Sequence, residues 1–424
     1  MRTAAQVTSS PSGPVVELRG ARWFDGATFT AGSRWMRDGL FVSRPAQPAD
    51  SVVDLSGRFM VPPYADAHTH SPDSGFGFEA IRDTYLRVGV FYVQPLTNSR
   101  AGRREIAARV NVPTSVDVTY ADGAVTSSGG HPQVLYESLG LYRRFWQVDS
   151  ERVAAARSLR RDGDVYHRLD SLPQLAAIVT RLARDTVPAL KVMLLDSERW
   201  TARHGDSTHY GFYGMNPALL PPLVEAAHRL GRRVWAHIET PYDMEIALRA
   251  GVDGFAHVPG YGAPIATDSA ARTMVLPEST IRLAGQRRVL MTATLVLSAR
   301  QAGTDTAALR RLRDVTVRNA RSLQRAGVQL LAGSDTYSDA GIIRDDPATT
   351  ARLLGLSPVE ELRLMSVTTP LAIFPARRIA RLAPGYEASA LALSCNPLQG
   401  RDCLHAITMR LKQGAWLTVP DAAR

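Results

Sequence analysis

The stretch "ADAHTH", residues 65–70, sets two histidines one residue apart in a chain that has only ten. On a strand the side chains alternate, so His68 and His70 face one way and Thr69 the other. At a rise of about 3.3 Å per residue the two rings are close enough to converge on one small ion. Taken alone, the pair reads equally well as a surface loop that holds two histidines. The positions of the other metal-type residues decide between these readings.

Outward from this stretch, apolar strands alternate with amphipathic helices. Strands are expected at residues 64–70, 89–96, 114–121, 188–196, 233–239, 252–259, 288–296 and 327–335. Helices fall between most of them, for example at 216–231, 242–251 and 306–327. Eight strands alternating with helices predict an α/β fold, a (β/α)8 TIM barrel over residues 63–374. Before it, "PVVELRGARWFDG", "SRWMRDGLFVS" and "SVVDLSGRFMV" are β-like pieces broken by Gly, Asp and Pro. The chain returns to β character after residue 375, so residues 1–62 and 375–424 are expected to build one small composite β-sandwich domain. The stretch from Ala121 to Val187 is long for a connection between barrel strands and contains "GAVTSSGGHPQVLYESLG". Insertions after barrel strands lie on the active-site face, so it should shape or cover a substrate pocket. A second loop, "SERWTARHGDSTHYGFYGM", follows the fourth strand.

His237 closes "RVWAH", His257 closes "VDGFAH", Asp335 closes "VQLLAGSD", and Lys191 opens the apolar "KVMLL". Each has an ordinary explanation. A lone histidine on an apolar strand is usually a core residue, Asp335 suits a helix N-cap, and a lysine can snorkel to solvent. Together with His68 and His70, however, five of the six lie at the carboxyl ends of strands, where barrel enzymes place their chemistry. One shared metal site explains this better than five coincidences. Lys191 is the sharpest signal, because a lysine within so apolar a strand should have a lowered pKa. Of the 50 lysines and arginines only Lys191 and Lys412 are lysines, so an amine retained here points to amine chemistry. A neutral amine can add carbon dioxide to give a carbamate, an anionic two-oxygen ligand able to bridge two cations.

At 424 residues, with 45% hydrophobic and 21% charged residues, the composition is that of an ordinary globular protein. No run of 18 apolar residues argues for a membrane span, and "MRTAAQVTSSPSGP" lacks the apolar core of a signal peptide. The net charge of +10 comes from scattered arginines without a nucleic-acid motif, which reads as solvated helix faces. Cys395 and Cys403 flank "NPLQGRD" between two β-like segments that would pair around a turn. A disulfide is sterically plausible there and leans towards export, with two reduced cysteines in the cytosol as the alternative.

HxH on strand one, lysine on strand four, histidine on strands five and six, and aspartate on strand eight resemble the binuclear metal-dependent amidohydrolase superfamily. The likeness is to its carboxylated-lysine members, such as dipeptidases, prolidases and imidazolonepropionase-like proteins. "RFMVPPYADAHTH", "MRDGLFVS" and "TTPLAIFP…RLAPGYEASALALSCNP" are similar to its strand-one entry, its β-domain segment and its closing segment. The closing segment departs from the pattern, with Ser389 where an aspartate is usual and with two cysteines.

The resemblance implies two divalent metals, zinc by default, with manganese or cobalt as alternatives. His68, His70 and Asp335 would hold one metal, His237 and His257 the other, and N6-carboxylated Lys191 would bridge them. It further implies hydrolysis of an amide-type C–N bond in a dipeptide, N-acyl amino acid or cyclic amide. Attack would come from a metal-bridging hydroxide, with Asp335 taking and passing on the proton. His131, Tyr120, Tyr213 and Tyr337 are the candidate substrate contacts. The rival readings are a one-metal deaminase of the same superfamily, a lactonase or esterase, and a non-catalytic binding protein. The expected partner is a small-molecule substrate, not nucleic acid, and a homo-oligomer stays open.

Overall fold

Runs of apolar, β-branched and aromatic residues set the first strands, β1 (Val16–Phe24), β2 (Phe29–Arg37), β3 (Leu40–Val42), β4 (Ser51–Asp54) and β5 (Phe59–Val61). In the computed structural model, which describes residues 13–133, 135–137, 161–261, 265, 267–296 and 305–420, they share a sheet with the far end of the chain. There lie β16 (Ala390–Leu393), β17 (Ile407–Lys412) and β18 (Ala415–Trp416). The order is β18-β17-β16-β5-β1-β2-β3, with β4 also on β1. The two ends expected to form a sandwich are thus joined into one eight-stranded hydrogen-bonded sheet. The sheet has a core of its own, which includes Leu18, Trp23, Phe41, Met60, Ala390 and Leu411. Cys395 and Cys403, between β16 and β17, form a disulfide with their Cα atoms 5.4 Å apart.

Between the ends, every strand pairs in parallel. β6 (Tyr64–Thr69), β7 (Val90–Pro95) and β8 (Asp117–Val118) form a three-stranded sheet. β9 (Ala121–Thr126), β10 (His167–Arg168), β11 (Ala189–Met193), β12 (Arg233–His237), β13 (Gly254–Phe255), β14 (Leu290–Thr292) and β15 (Gln329–Leu331) form one of seven, in the order β10-β9-β11-β12-β13-β14-β15. Backbone hydrogen bonds also run between β6 and the segment after β15. Ala67 N–H donates to Ala332 O at 2.8 Å, Asp335 N–H to His68 O at 2.7 Å, and His70 N–H to Thr336 O at 3.0 Å.

Helices cover the outer faces because their apolar residues fall on one stripe. Helix Leu172–Arg184 buries Leu175, Ile178 and Leu182 against a core that includes Val192 and Val234. Each such side chain contributes about 1.5–3 kcal/mol by leaving water, so a charge at Ile178 would detach the helix. Helix Thr306–Arg325 starts at Asp305, whose carboxylate accepts from Ala307 and Ala308 N–H, and buries Leu312, Val315 and Leu323 among others. No helix among the described residues is long and apolar enough to cross a membrane.

One strand departs from expectation. The third strand, read at 114–121, appears as β8 and β9 and runs on to Thr126. The long insertion therefore starts after Thr126, not at Ala121. "ADGAVT" looks like a loop because of Asp122 and Gly123, yet Asp122 is buried against His167, Arg100 and Arg103. Much of the insertion, residues 138–160, lies outside the described residues.

Candidate metal centre

The carboxyl ends of the parallel strands deliver the titratable side chains to one place. His68 is the fifth residue of β6 and His70 follows the strand. His237 ends β12, His257 lies two residues past β13, Asp335 four past β15, and Lys191 is the third residue of β11. All are buried except His70, whose side chain is 19% exposed. His68, His257 and Asp335 each offer one ligand atom, all within 4.8 Å of one another. Close approach of β6 to the segment after β15 depends on Gly333. A Cβ there would stand 2.7 Å from Thr292 Cγ2 and 3.0 Å from His68 Cβ.

Asp335 Oδ1 lies 2.8 Å from His70 Nε2 and 3.1 Å from His68 Nε2. Burial pushes its carboxyl upward, but the pull of His68 and His257 in their protonated forms outweighs that and holds it well below the usual range. Its backbone is left-handed, at φ 54°, a conformation that Asp tolerates better than most residues. His68 Nδ1 lies 3.0 Å from the Ala256 carbonyl oxygen, which accepts only from an N–H. Burial lowers the His68 pKa to about 4, so the ring is neutral and carries its one proton on Nδ1. Its Nε2 then presents a lone pair to a carboxylate oxygen, a repulsive pairing that a cation between them would turn into coordination. The His70 Nδ1 is buried without a hydrogen-bond partner. This donor set suits a divalent ion.

Around this trio, the His237 ring lies 4.5 Å from that of His257, and His257 Nδ1 is 2.9 Å from Thr294 Oγ1. Burial lowers both pKa values well below the usual one, so both rings are neutral and free to coordinate. Lys191 acts electrostatically on His68, His131, His237 and His257. Burial brings its pKa down to about 7 against the pull of Asp335. Among the described residues no carboxylate lies within ion-pair distance of its amine.

The four candidate substrate contacts part company. His131 comes to the cluster, its ring 5.3 Å from that of His237. Its N–H donates to Tyr213 O at 2.7 Å, and Gly130 beside it has no room for a Cβ, which would meet Thr126 Oγ1 at 2.4 Å. Tyr337 also comes in, stacked on His70 with centroids 5.1 Å apart. Tyr213 fastens the inserted loop, its hydroxyl donating to Ser128 O at 2.8 Å. Tyr120 donates to Pro72 O at 3.2 Å and lines a crevice of about 680 Å³ in the helix layer beside Arg103 and Arg104. Among the described residues no hydrogen bond or ring contact joins it to the six clustered side chains.

Two positions in contact with the cluster escaped the sequence reading. Tyr261 donates its hydroxyl to Asp335 Oδ2 at 2.7 Å and stacks on His257 with centroids 3.6 Å apart. Asp66 binds β6 to the segment that carries Asp335. Its Oδ1 accepts from His68 N–H at 3.0 Å and Ser334 N–H at 3.1 Å, and its Oδ2 accepts from the Ser334 hydroxyl. Asp66 stood inside the quoted motif, and its alternation with His68 could have marked it. No local signal pairs Tyr261 with a residue 74 positions away.

No family model matches the chain. Ochratoxinase of Aspergillus niger is 26% identical over 197 residues, a match that spans 44% of this chain and only 38% of that protein. The crystal structure of A. niger ochratoxinase superposes with a TM-score of 0.70 at 19% identity, covering 96% of both chains. That of an amidohydrolase gives 0.69 at 19% identity, covering 96% of this chain and 100% of the other. A prolidase complexed with N-methylphosphonate-L-proline gives 0.68 at 15% identity, with coverage of 96% and 100%. Over almost its whole length, the chain has the fold of the amidohydrolases.

Proposed function

We propose that this chain is a metal-dependent hydrolase that cleaves an amide-type C–N bond in a small molecule, such as a dipeptide, an N-acyl amino acid or a cyclic amide. The observation that carries the reading is the convergence of His68, His257 and Asp335 within 4.8 Å, ringed by His70, His237 and Lys191. The fold likeness to ochratoxinase and prolidase structures supports it. In this reading residues 63–374 form a (β/α)8 barrel, and the β6 bonds to Ala332, Asp335 and Thr336 are its closing seam. Residues 1–62 and 375–424 form the β domain, and the disulfide favours an oxidising compartment.

His68, His70 and Asp335 would hold one divalent ion, zinc first, and His237 and His257 a second, with Lys191 as an N6-carboxylate between them. When bound, the pair supplies Lewis acidity and an activated water. The chain's own residues do the rest. Asp335 accepts a proton at its carboxylate and returns it to the leaving nitrogen. His131, neutral because burial lowers its pKa to about 4, offers one N–H or one lone pair to the substrate. Tyr337 walls the opening beside His70.

The test combines metal analysis with hydrolysis of a panel of dipeptides and N-acyl amino acids by the purified chain. Two ions per chain and metal-dependent release of the amine are expected. One tightly bound ion with ammonia release would replace this reading with a deaminase. Cleavage of lactones or esters alone would replace it with a lactonase or esterase. A full metal complement without any hydrolysis would leave a binding protein.

A further inference from the structure

We infer that Tyr261 is the positioning residue of this centre, holding the Asp335 carboxylate through Oδ2 while its ring fixes the plane of His257. The inference rests on the metal-site reading and adds to it the group that keeps the site in shape.

Asp335 has two kinds of side-chain contact. On Oδ1 the neighbours are His68 Nε2 and His70 Nε2, which are themselves candidate ligands. A cation seated among these three atoms replaces those contacts with its own. On Oδ2 the hydrogen-bond partner is the Tyr261 hydroxyl, 2.7 Å away, with His257 Nδ1 farther off at 3.9 Å; the hydroxyl is no ligand in this reading and so keeps its bond whether or not an ion is present. A carboxylate turns about its Cβ–Cγ bond at little cost, so an anchor on one oxygen determines where the other points.

Tyr261 is well placed for this work. It is buried, at 7% exposure, and sits four residues beyond His257 in a turn closed by its own N–H to Val258 O at 3.1 Å. The Gly260 N–H ties the same turn to Glu239 O at 2.8 Å, beside the end of β12. The ring lies flat on His257, 13° from parallel. One side chain thus touches a ligand of each proposed ion, His257 by its ring and Asp335 by its hydroxyl. Loss of such an outer partner typically costs about 10–100-fold in metal affinity.

The experiment is cobalt(II) titration of the whole chain, with affinity read by chelator competition and ligand geometry by visible absorption. Tyr261→Phe keeps the ring and removes the hydroxyl. Its cobalt affinity should fall about tenfold and its absorption bands should shift. In an Asp335→Asn background the same change should have no further effect, because the two residues act as a unit. Tyr261→Leu, which also removes the stack on His257, should weaken binding more than Tyr261→Phe. Unchanged affinity and spectrum in Tyr261→Phe would overturn this inference and leave the metal reading intact. So would an undiminished loss in the Asp335→Asn background. A wild-type chain that binds no divalent ion would overturn both.

Discussion

The chain's two lysines are both buried, and they sit in opposite circumstances. Lys412, in β17, donates to Asp117 Oδ1, at the start of β8, at 2.7 Å and to Val112 O at 2.8 Å. The other Asp117 oxygen meets Arg377, which also grips Glu387 with two hydrogen bonds of 2.9 and 2.6 Å. Charge there is matched partner for partner, and the cluster ties the eight-stranded sheet to the amino ends of the parallel strands. Lys191, in the middle of β11, has no such partner among the described residues, and its neighbours are neutral histidines and one shared aspartate. Buried charge that is satisfied serves structure. Buried donors facing one another without mutual satisfaction mark a site that awaits something.

The largest effect that can break this contrast is at the mouth. Asp335→Asn should lower turnover of a hydrolysed N-acyl amino acid by about a thousandfold, within the range for losing a general base, while the fold is kept. Turnover close to that of the wild type would remove Asp335 from the chemistry and with it the functional half of the comparison.

At the other end the expected loss is in stability. Lys412→Met leaves Asp117 buried with Arg377 alone, and removing one partner of a buried pair costs about 3–5 kcal/mol. Denaturant unfolding should show that loss, while turnover per folded molecule stays unchanged. A stability loss below about 1 kcal/mol would mean that Asp117 is satisfied without Lys412.

Lys191→Met sharpens the contrast from the same residue type. In the metal-free chain the wild-type Lys191 has its pKa lowered by burial to about 7 from 10.5. A lysine with a depressed folded-state pKa destabilises the fold most at low pH, where it is charged both folded and unfolded. The penalty fades between pH 7 and 10.5, where the unfolded chain binds the extra proton, so stability rises with pH across that window. Lys191→Met should remove this rise and make the metal-free chain equally or more stable at pH 7. It should also abolish uptake of a full metal complement. A substitution that destabilises the metal-free chain as much as Lys412→Met would erase the distinction between the two lysines.

The sequence carried the site further than the frame around it. His68, His70, His237, His257 and Asp335 stand at or near strand ends, which can be read from local apolar runs, and Lys191 stands out as an amine in the middle of one. Strand Ala121–Thr126 was not legible. Asp122 is polar in the sequence and buried in the fold, and only tertiary partners 45 or more residues away or on a neighbouring helix make it a strand residue. The base cluster was equally hidden, since Lys412 and Asp117 are separated by 295 positions and neither carries a local signal. Of the aromatic candidates, only His131 and Tyr337 reach the site. Glycines beside a histidine say that the backbone comes close to something, whereas an isolated tyrosine says nothing about which end of a strand it serves.

The smallest predicted effect tests how finely the base is matched. Arg377→Lys keeps the charge but gives up the planar fork that serves Glu387 and Asp117 at once. A lysine at this position can satisfy one carboxylate fully, and Asp117 still has Lys412. The Arg377 side chain is a quarter exposed, so water takes up part of what Glu387 loses. The cost should therefore be about 1.5 kcal/mol, one charged hydrogen bond and well under that of Lys412→Met. The double variant Arg377→Lys, Lys412→Met should lose more than the sum of the two, because each residue is the other's substitute on Asp117. Metal binding and turnover should stay at wild-type values throughout, since no residue of the cluster touches the histidines. If metal affinity instead fell together with stability, the base would be setting the geometry of the mouth, and the two regions would have to be treated as one.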